Sequence, residues 1–140
     1  MSSLLTKPKD EYKAMFFKQI QKHGDNFSYI IADQQTKEAA VVDSSYNADE
    51  IVRVIKANGF QLKYVINTHG HSDHTAGNTE LKAIFSAKTV GHEKARNSPD
   101  ITVKDGDALS VGKIRIQIIF TPGHTPVSYT HLTLPTILRV

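Results

Sequence analysis

Short runs rich in aromatic, β-branched and other apolar residues, separated by polar turn segments, predict strands along the first part of the chain. Met15 to Ile20 is the first, Phe27 to Ala32 the second and Ala39 to Val42 the third. Gly24-Asp25-Asn26 and the polar run Asp33 to Lys37 supply the turns between them. Those connections are too short for crossovers, so the three strands form an antiparallel meander. The pattern then changes to a helical one. Ile51, Val52, Val54 and Ile55 make one apolar face of a helix from Ala48 to Asn58, with Asn47 as its N-cap and Gly59 as its end. Leu62 to Ile66 is the next strand, Ala76 to Ser86 a second helix and Lys88 to Val90 a short strand. One helical turn is expected from His92 to Asn97, before the break at Ser98-Pro99-Asp100. Leu109 to Val111 and Lys113 to Phe120 read as a hairpin turned at Gly112, with Ile114, Ile116 and Ile118 sharing a face. Strands, then strand–helix units, then strands predict a sheet-rich core with helices on an outer face, in the α/β or α+β class.

Composition narrows this picture. With 140 residues, 39% of them hydrophobic, the chain can build one core. Residues 1–14 read as an N-terminal arm, and the polar stretch Met1 to Asp10 is neither a signal peptide nor an anchor. No window reaches a transmembrane length. The net charge of +3 comes from scattered lysines, which argues against nucleic acid or a membrane surface as partner. There is no cysteine, hence no disulfide and no thiolate ligand, which fits a cytoplasmic protein.

The stretch that carries chemistry is Thr68-His69-Gly70-His71-Ser72-Asp73-His74, directly after the apolar run Tyr64-Val65-Ile66. Imidazoles and a carboxylate this dense suit a borderline cation such as zinc, iron or manganese. His69 and His71 are two apart, so an extended loop sends both the same way. Asp73 and His74 are adjacent and point apart, so one loop can serve two neighbouring cations. His124, in Thr121-Pro122-Gly123-His124-Thr125-Pro126, adds an imidazole aimed by a tight bend. Three neutral imidazoles leave a coordination position open for water, whose pKa a metal lowers from about 16 to about 7. Asp73 can hold a second cation, orient the hydroxide or take a proton.

The loop resembles the His-x-His-x-Asp-His signature of the metallo-β-lactamase superfamily, and His124 within Thr-Pro-Gly-His-Thr resembles that family's next ligand motif. Asp43, after Ala-Val-Val, resembles the acid behind the site. The resemblance covers residues 15 to 126 and implies the αββα sandwich, truncated here to about its first half. It implies His69, His71 and His124 on one metal ion, and Asp73 with His74 on a second. Thr-His-Gly-His-Ser-Asp-His-Thr-Ala-Gly-Asn is most similar to the glyoxalase II (hydroxyacylglutathione hydrolase) branch. That implies hydrolysis of a small-molecule thioester by a metal-bound hydroxide, with one or two Zn2+ ions, or Fe or Mn in their place. An iron-dependent persulfide dioxygenase is the alternative on the same ligands. Phosphodiester cleavage on RNA is disfavoured by the unremarkable charge, and a metal-poor scaffold is the non-enzymatic reading.

The chain departs from the family beyond Pro126. The bridging Asp and last His of the family have no counterpart, and Val127-Ser128 stand where Gly-Ser is expected. Residues 127–140 read as a non-native tail. Val127 to Thr136 back-translates to GTCTCTTATACACATCTGACGCTGCCGACG, which resembles a transposon-end sequencing adapter. On this reading the partial domain is 15–126 and the function belongs to the full-length parent, the truncated chain itself being inactive.

Other residues have plainer readings. Asp43 could cap the helix that follows it, or hydrogen-bond a ligand imidazole and set its tautomer. Asn78, after Gly77, reads as a cap of the second helix. His23 and His92 read as surface residues, and Lys94 and Arg96 as a solvated face. Tyr12, Phe16, Phe17 and Phe27 read as core or hairpin aromatics.

Overall fold

The structure, a computed structural model, describes residues 14–21, 27–68, 75–92, 99–119 and 131–133. A six-stranded sheet comprises β1 (Met15–Ile20), β2 (Ser28–Asp33), β3 (Glu38–Val42), β4 (Gln61–Ile66), β5 (Lys88–His92) and β6 (Ile101–Val103), in that spatial order. β1, β2 and β3 form the expected antiparallel meander. β3, β4, β5 and β6 run parallel. Two helices serve the parallel part: α1 (Ala48–Ala57) joins β3 to β4, and α2 (Asn78–Phe85) lies between β4 and β5. A second sheet holds β7 (Ala108–Val111), β8 (Ile114–Ile119) and β9 (His131–Thr133), all antiparallel.

Strand alternation sorts the core into two layers. Ile30, Ala32, Ala39, Val41, Leu62 and Val65 face the helices, where Ile51, Val54, Ile55 and Leu81 meet them. Ile31, Ala40, Val42 and Ile66 face the other way, against Val111, Ile116 and Ile118 of the second sheet. The order is therefore helices, large sheet, small sheet. The α1 face is the one expected, except that Val52 is only partly buried.

α1 ends as its sequence predicts. Gly59 adopts φ +67, and the N–H groups of Gly59 and Phe60 donate to the carbonyls of Lys56 and Ile55 at 3.2 and 3.0 Å. This double closure satisfies two carbonyls the helix would otherwise leave open. Its start differs. Asn47 occupies the N-cap position without a side-chain cap bond; its amide donates instead to Ser28 Oγ at 2.8 Å. His92 ends strand β5 rather than opening a helical turn, while residues 93–98 lie outside the described residues. β6 has no counterpart in the sequence reading. A three-residue strand with polar flanks offers too short an alternation to register.

The two sheets are clipped together at the β7–β8 turn. The Lys113 N–H donates to Asp33 Oδ2 and the Gly112 N–H to Glu38 Oε1, both at 2.7 Å. β8 therefore starts beside the beginning of β3 and runs away from that point. Among the described residues no helix is long and apolar enough to cross a membrane.

Candidate metal centre

Because β3, β4 and β5 are parallel, their C-terminal ends share one edge of the sheet. In open sheets of this kind, ligands gather outside that edge. Asn67 and Thr68 leave it from β4, a central strand, and the His-rich loop follows.

Asp43 leaves the same edge from the neighbouring strand. It is buried and has φ +53, a left-handed conformation that Asp tolerates better than most residues. Its N–H donates to the Ile66 carbonyl at 2.7 Å, which carries the β3–β4 pairing one step past the strands. Its carboxylate accepts the Thr68 N–H at 2.8 Å and the Thr68 hydroxyl. The side chain thus reaches across to β4 and grips the residue immediately before His69. Burial pushes the phenol pKa of Tyr29 upward, and the charge of Asp43 adds to that shift.

A second set of polar contacts lies beneath the loop. Ser28 Oγ donates to the Ser44 carbonyl at 3.0 Å. The Ser44 hydroxyl donates to Asn78 Oδ1 at 2.7 Å, and Asn78 Nδ2 donates to Asn67 Oδ1 at 2.8 Å. The Asn67 N–H donates to the Val90 carbonyl at 2.9 Å. Asn78 therefore does not cap α2: Gly77 holds that position, and the Asn78 side chain bridges two strand exits. A Cβ at position 77 would lie 2.9 Å from Ala48 Cβ and 3.1 Å from Ser44 Cβ, so the glycine permits this close approach. Sequence reasoning passes over Ser44 and Asn67. The available signal is a small polar residue within two positions of each apolar strand's end.

The expected ligands His69, His71, Asp73, His74 and His124 lie outside the described residues. Among the described residues no three His, Cys, Asp or Glu side chains gather as a cation site. His92 is half-buried at the end of β5, on the same edge. The donor chemistry of the loop fits a borderline dication, and the loop's entry is fixed by a buried carboxylate, the kind of support that ligand loops require.

Comparison with known proteins adds an independent line. The family model described as the metallo-beta-lactamase superfamily matches residues 23–131, a span that contains both the His-rich loop and His124. The chain is 38% identical over 104 residues to a hydroxyacylglutathione hydrolase of Polaromonas sp., covering 71% of this chain and 39% of that protein. It is 35% identical over 121 residues to the hydroxyacylglutathione hydrolase of Mesorhizobium japonicum, covering 83% of this chain and 47% of the relative. The chain thus spans less than half the length of these relatives. Among solved structures, ETHE1 from Myxococcus xanthus superposes with a TM-score of 0.79 at 28% identity, covering 86% of this chain and 54% of that one. A metallo-beta-lactamase from Staphylococcus aureus superposes with a TM-score of 0.74 at 29% identity, covering 88% and 38%.

Proposed function

The chain belongs to the metallo-beta-lactamase superfamily, and from that premise we propose that its full-length parent is a metal-dependent hydrolase of small-molecule thioesters, of the hydroxyacylglutathione type. The observation that carries this reading is the similarity to hydroxyacylglutathione hydrolases along a stretch of more than 100 residues. His69, His71 and His124 would hold one zinc ion, and Asp73 with His74 a second. Bound there, the cations would supply a Lewis acid for the thioester carbonyl and a water of lowered pKa.

The remaining steps fall to the chain's own side chains. Asp43 fixes Thr68 and so sets where the ligand loop begins. Asp73, the one carboxylate of that loop, takes the proton released when water is activated. Asp73 would then return that proton to the sulfur as the carbon–sulfur bond breaks, so that a carboxylic acid and a thiol are the products. The cytoplasm is the compartment this reading carries, in keeping with a chain that has no cysteine. Residues 127–140 are proposed to be foreign to the parent, whose remaining ligands would follow position 126.

The test is metal analysis and turnover of a glutathione thioester by the full-length parent, expressed from the genomic sequence that continues past codon 126. Stoichiometric zinc with thioester hydrolysis is the expected result. A metal-loaded parent inert toward thioesters would remove this substrate class, and bound iron with oxygen uptake on a persulfide would replace it with the dioxygenase reading.

A further inference from the structure

The Asn78 carboxamide stands at the exit of the His-rich loop, and its two partners stand at the exits of β3 and β4. Ser44 is fully buried and Asn67 nearly so, which makes each of these bonds costly to leave unmade. The loop between Thr68 and Thr75 is therefore pinned at both ends to the same strand exit. Asp43 holds its entry through Thr68, and Ser44, the next residue, holds its exit through Asn78. Closing the pair, Asn78 also grips Asn67 at the entry itself. Gly77 lets α2 come close enough for this to happen.

We infer that Asn78 is a positioning residue for the candidate cation-binding loop: by tying the loop's exit to its entry, it fixes the separation of the loop's two ends. This rests on the metal-centre reading above. Removing the amide frees one end of the loop, so the ligands must be ordered at the moment of binding. Outer partners of this kind change metal affinity by about 10–100-fold when lost.

The experiment uses the full-length parent, with zinc affinity measured by chelator competition and the visible absorption of bound Co2+ as a report of ligand geometry. Asn78→Ala is compared with Asn58→Ala, which removes an amide that donates to the Val54 carbonyl at the far end of α1. All are measured well below the unfolding temperature of the weakest variant. The expected result is a loss of about tenfold in zinc affinity and an altered Co2+ spectrum for Asn78→Ala, with Asn58→Ala matching the unaltered parent. Ser44→Ala removes only the hydroxyl that orients the amide. It should shift affinity in the same direction by a smaller factor, and it serves if Asn78→Ala does not fold. Unchanged affinity and spectrum in whichever of the two folds overturns the inference while leaving the metal centre standing. No cation uptake by the unaltered full-length parent overturns both.

Discussion

Asp43 closes both of its carboxylate oxygens on Thr68, one on the backbone N–H at 2.8 Å and the other on the hydroxyl. The acid belongs to β3's exit and the threonine to β4's, so a single side chain sets the separation of two parallel strands where the candidate ligand loop begins. A hydrogen bond to a charged group contributes about 1.5–3 kcal/mol. Thr68→Val should lower stability by about that amount. Asp43→Ala should cost more, about 3–5 kcal/mol, because it strands the Thr68 N–H and puts alanine at φ +53. Asp43→Asn tolerates the backbone and should fall between them. Urea denaturation midpoints order the three, and an Asp43→Ala variant as stable as Thr68→Val would contradict the assignment.

Two glycines with left-handed backbones should respond differently to alanine. At Gly59, φ is +67 and nothing stands within 4 Å of an added Cβ. Gly59→Ala should cost about 1–2 kcal/mol, the conformational penalty alone. At Gly112, φ is +59 and the Cβ would fall 2.2 Å from Thr36 Oγ1 and 2.8 Å from Asp33 Cβ. That collision displaces the turn whose N–H groups reach Asp33 and Glu38. Gly112→Ala should therefore cost about 3 kcal/mol or more, as both backbone strain and lost bonds act together. Denaturant titration of the two variants checks the ordering.

Much of this frame is legible because it is written in local signals. The β1 strand, the meander and the end of α1 follow from short β-prone runs, the polar segments between them and a glycine. What escapes is set by distant partners. Asn47 and Asn78 look like caps in sequence, since each stands at a helix start. The fold instead turns their amides toward Ser28, Ser44 and Asn67, residues 11 to 34 positions away. Asp43 stands out by resemblance. Its partner Thr68 cannot, because only the β3–β4 register brings them together. The expected metal ligands are legible as a motif, while their mutual arrangement falls outside the described residues.

Acid should weaken the fold through two aspartates. Asp100 accepts from the Thr89 N–H at 3.0 Å, with the Thr89 hydroxyl and Lys82 as further partners, and its pKa is lowered to about 2. At Asp33 burial works to raise the pKa, but the N–H groups of Lys113, Gln35 and Thr36 outweigh it and the net shift is downward. A carboxylate lowered on folding stabilises the protein above its unfolded pKa and loses that contribution as pH falls. For Asp100 the loss should run from about pH 4 down to about pH 2. Urea midpoints between pH 6 and pH 2 should decline over that window. Asp100→Asn should flatten part of the decline, and an equally steep acid limb in the variant would show that Asp100 contributes nothing to it.

Cation uptake should depend jointly on two segments far apart in the chain. His69 follows the Thr68 that Asp43 anchors, and His124 follows β8, whose start is clipped beside the beginning of β3 and which runs away from it. If both imidazoles bind one ion, either substitution to alanine removes a ligand from the same site. His69→Ala and His124→Ala should each weaken zinc binding by at least about 100-fold, an expectation set above the range for supporting residues. The double substitution should add little to either, since ligands of one centre act as a unit. Zinc should also raise the unfolding temperature of the full-length parent, because an ion bound only by the folded state stabilises it by mass action. Chelator competition on the single and double variants decides the matter. Strictly additive losses would mean that His69 and His124 serve different ions.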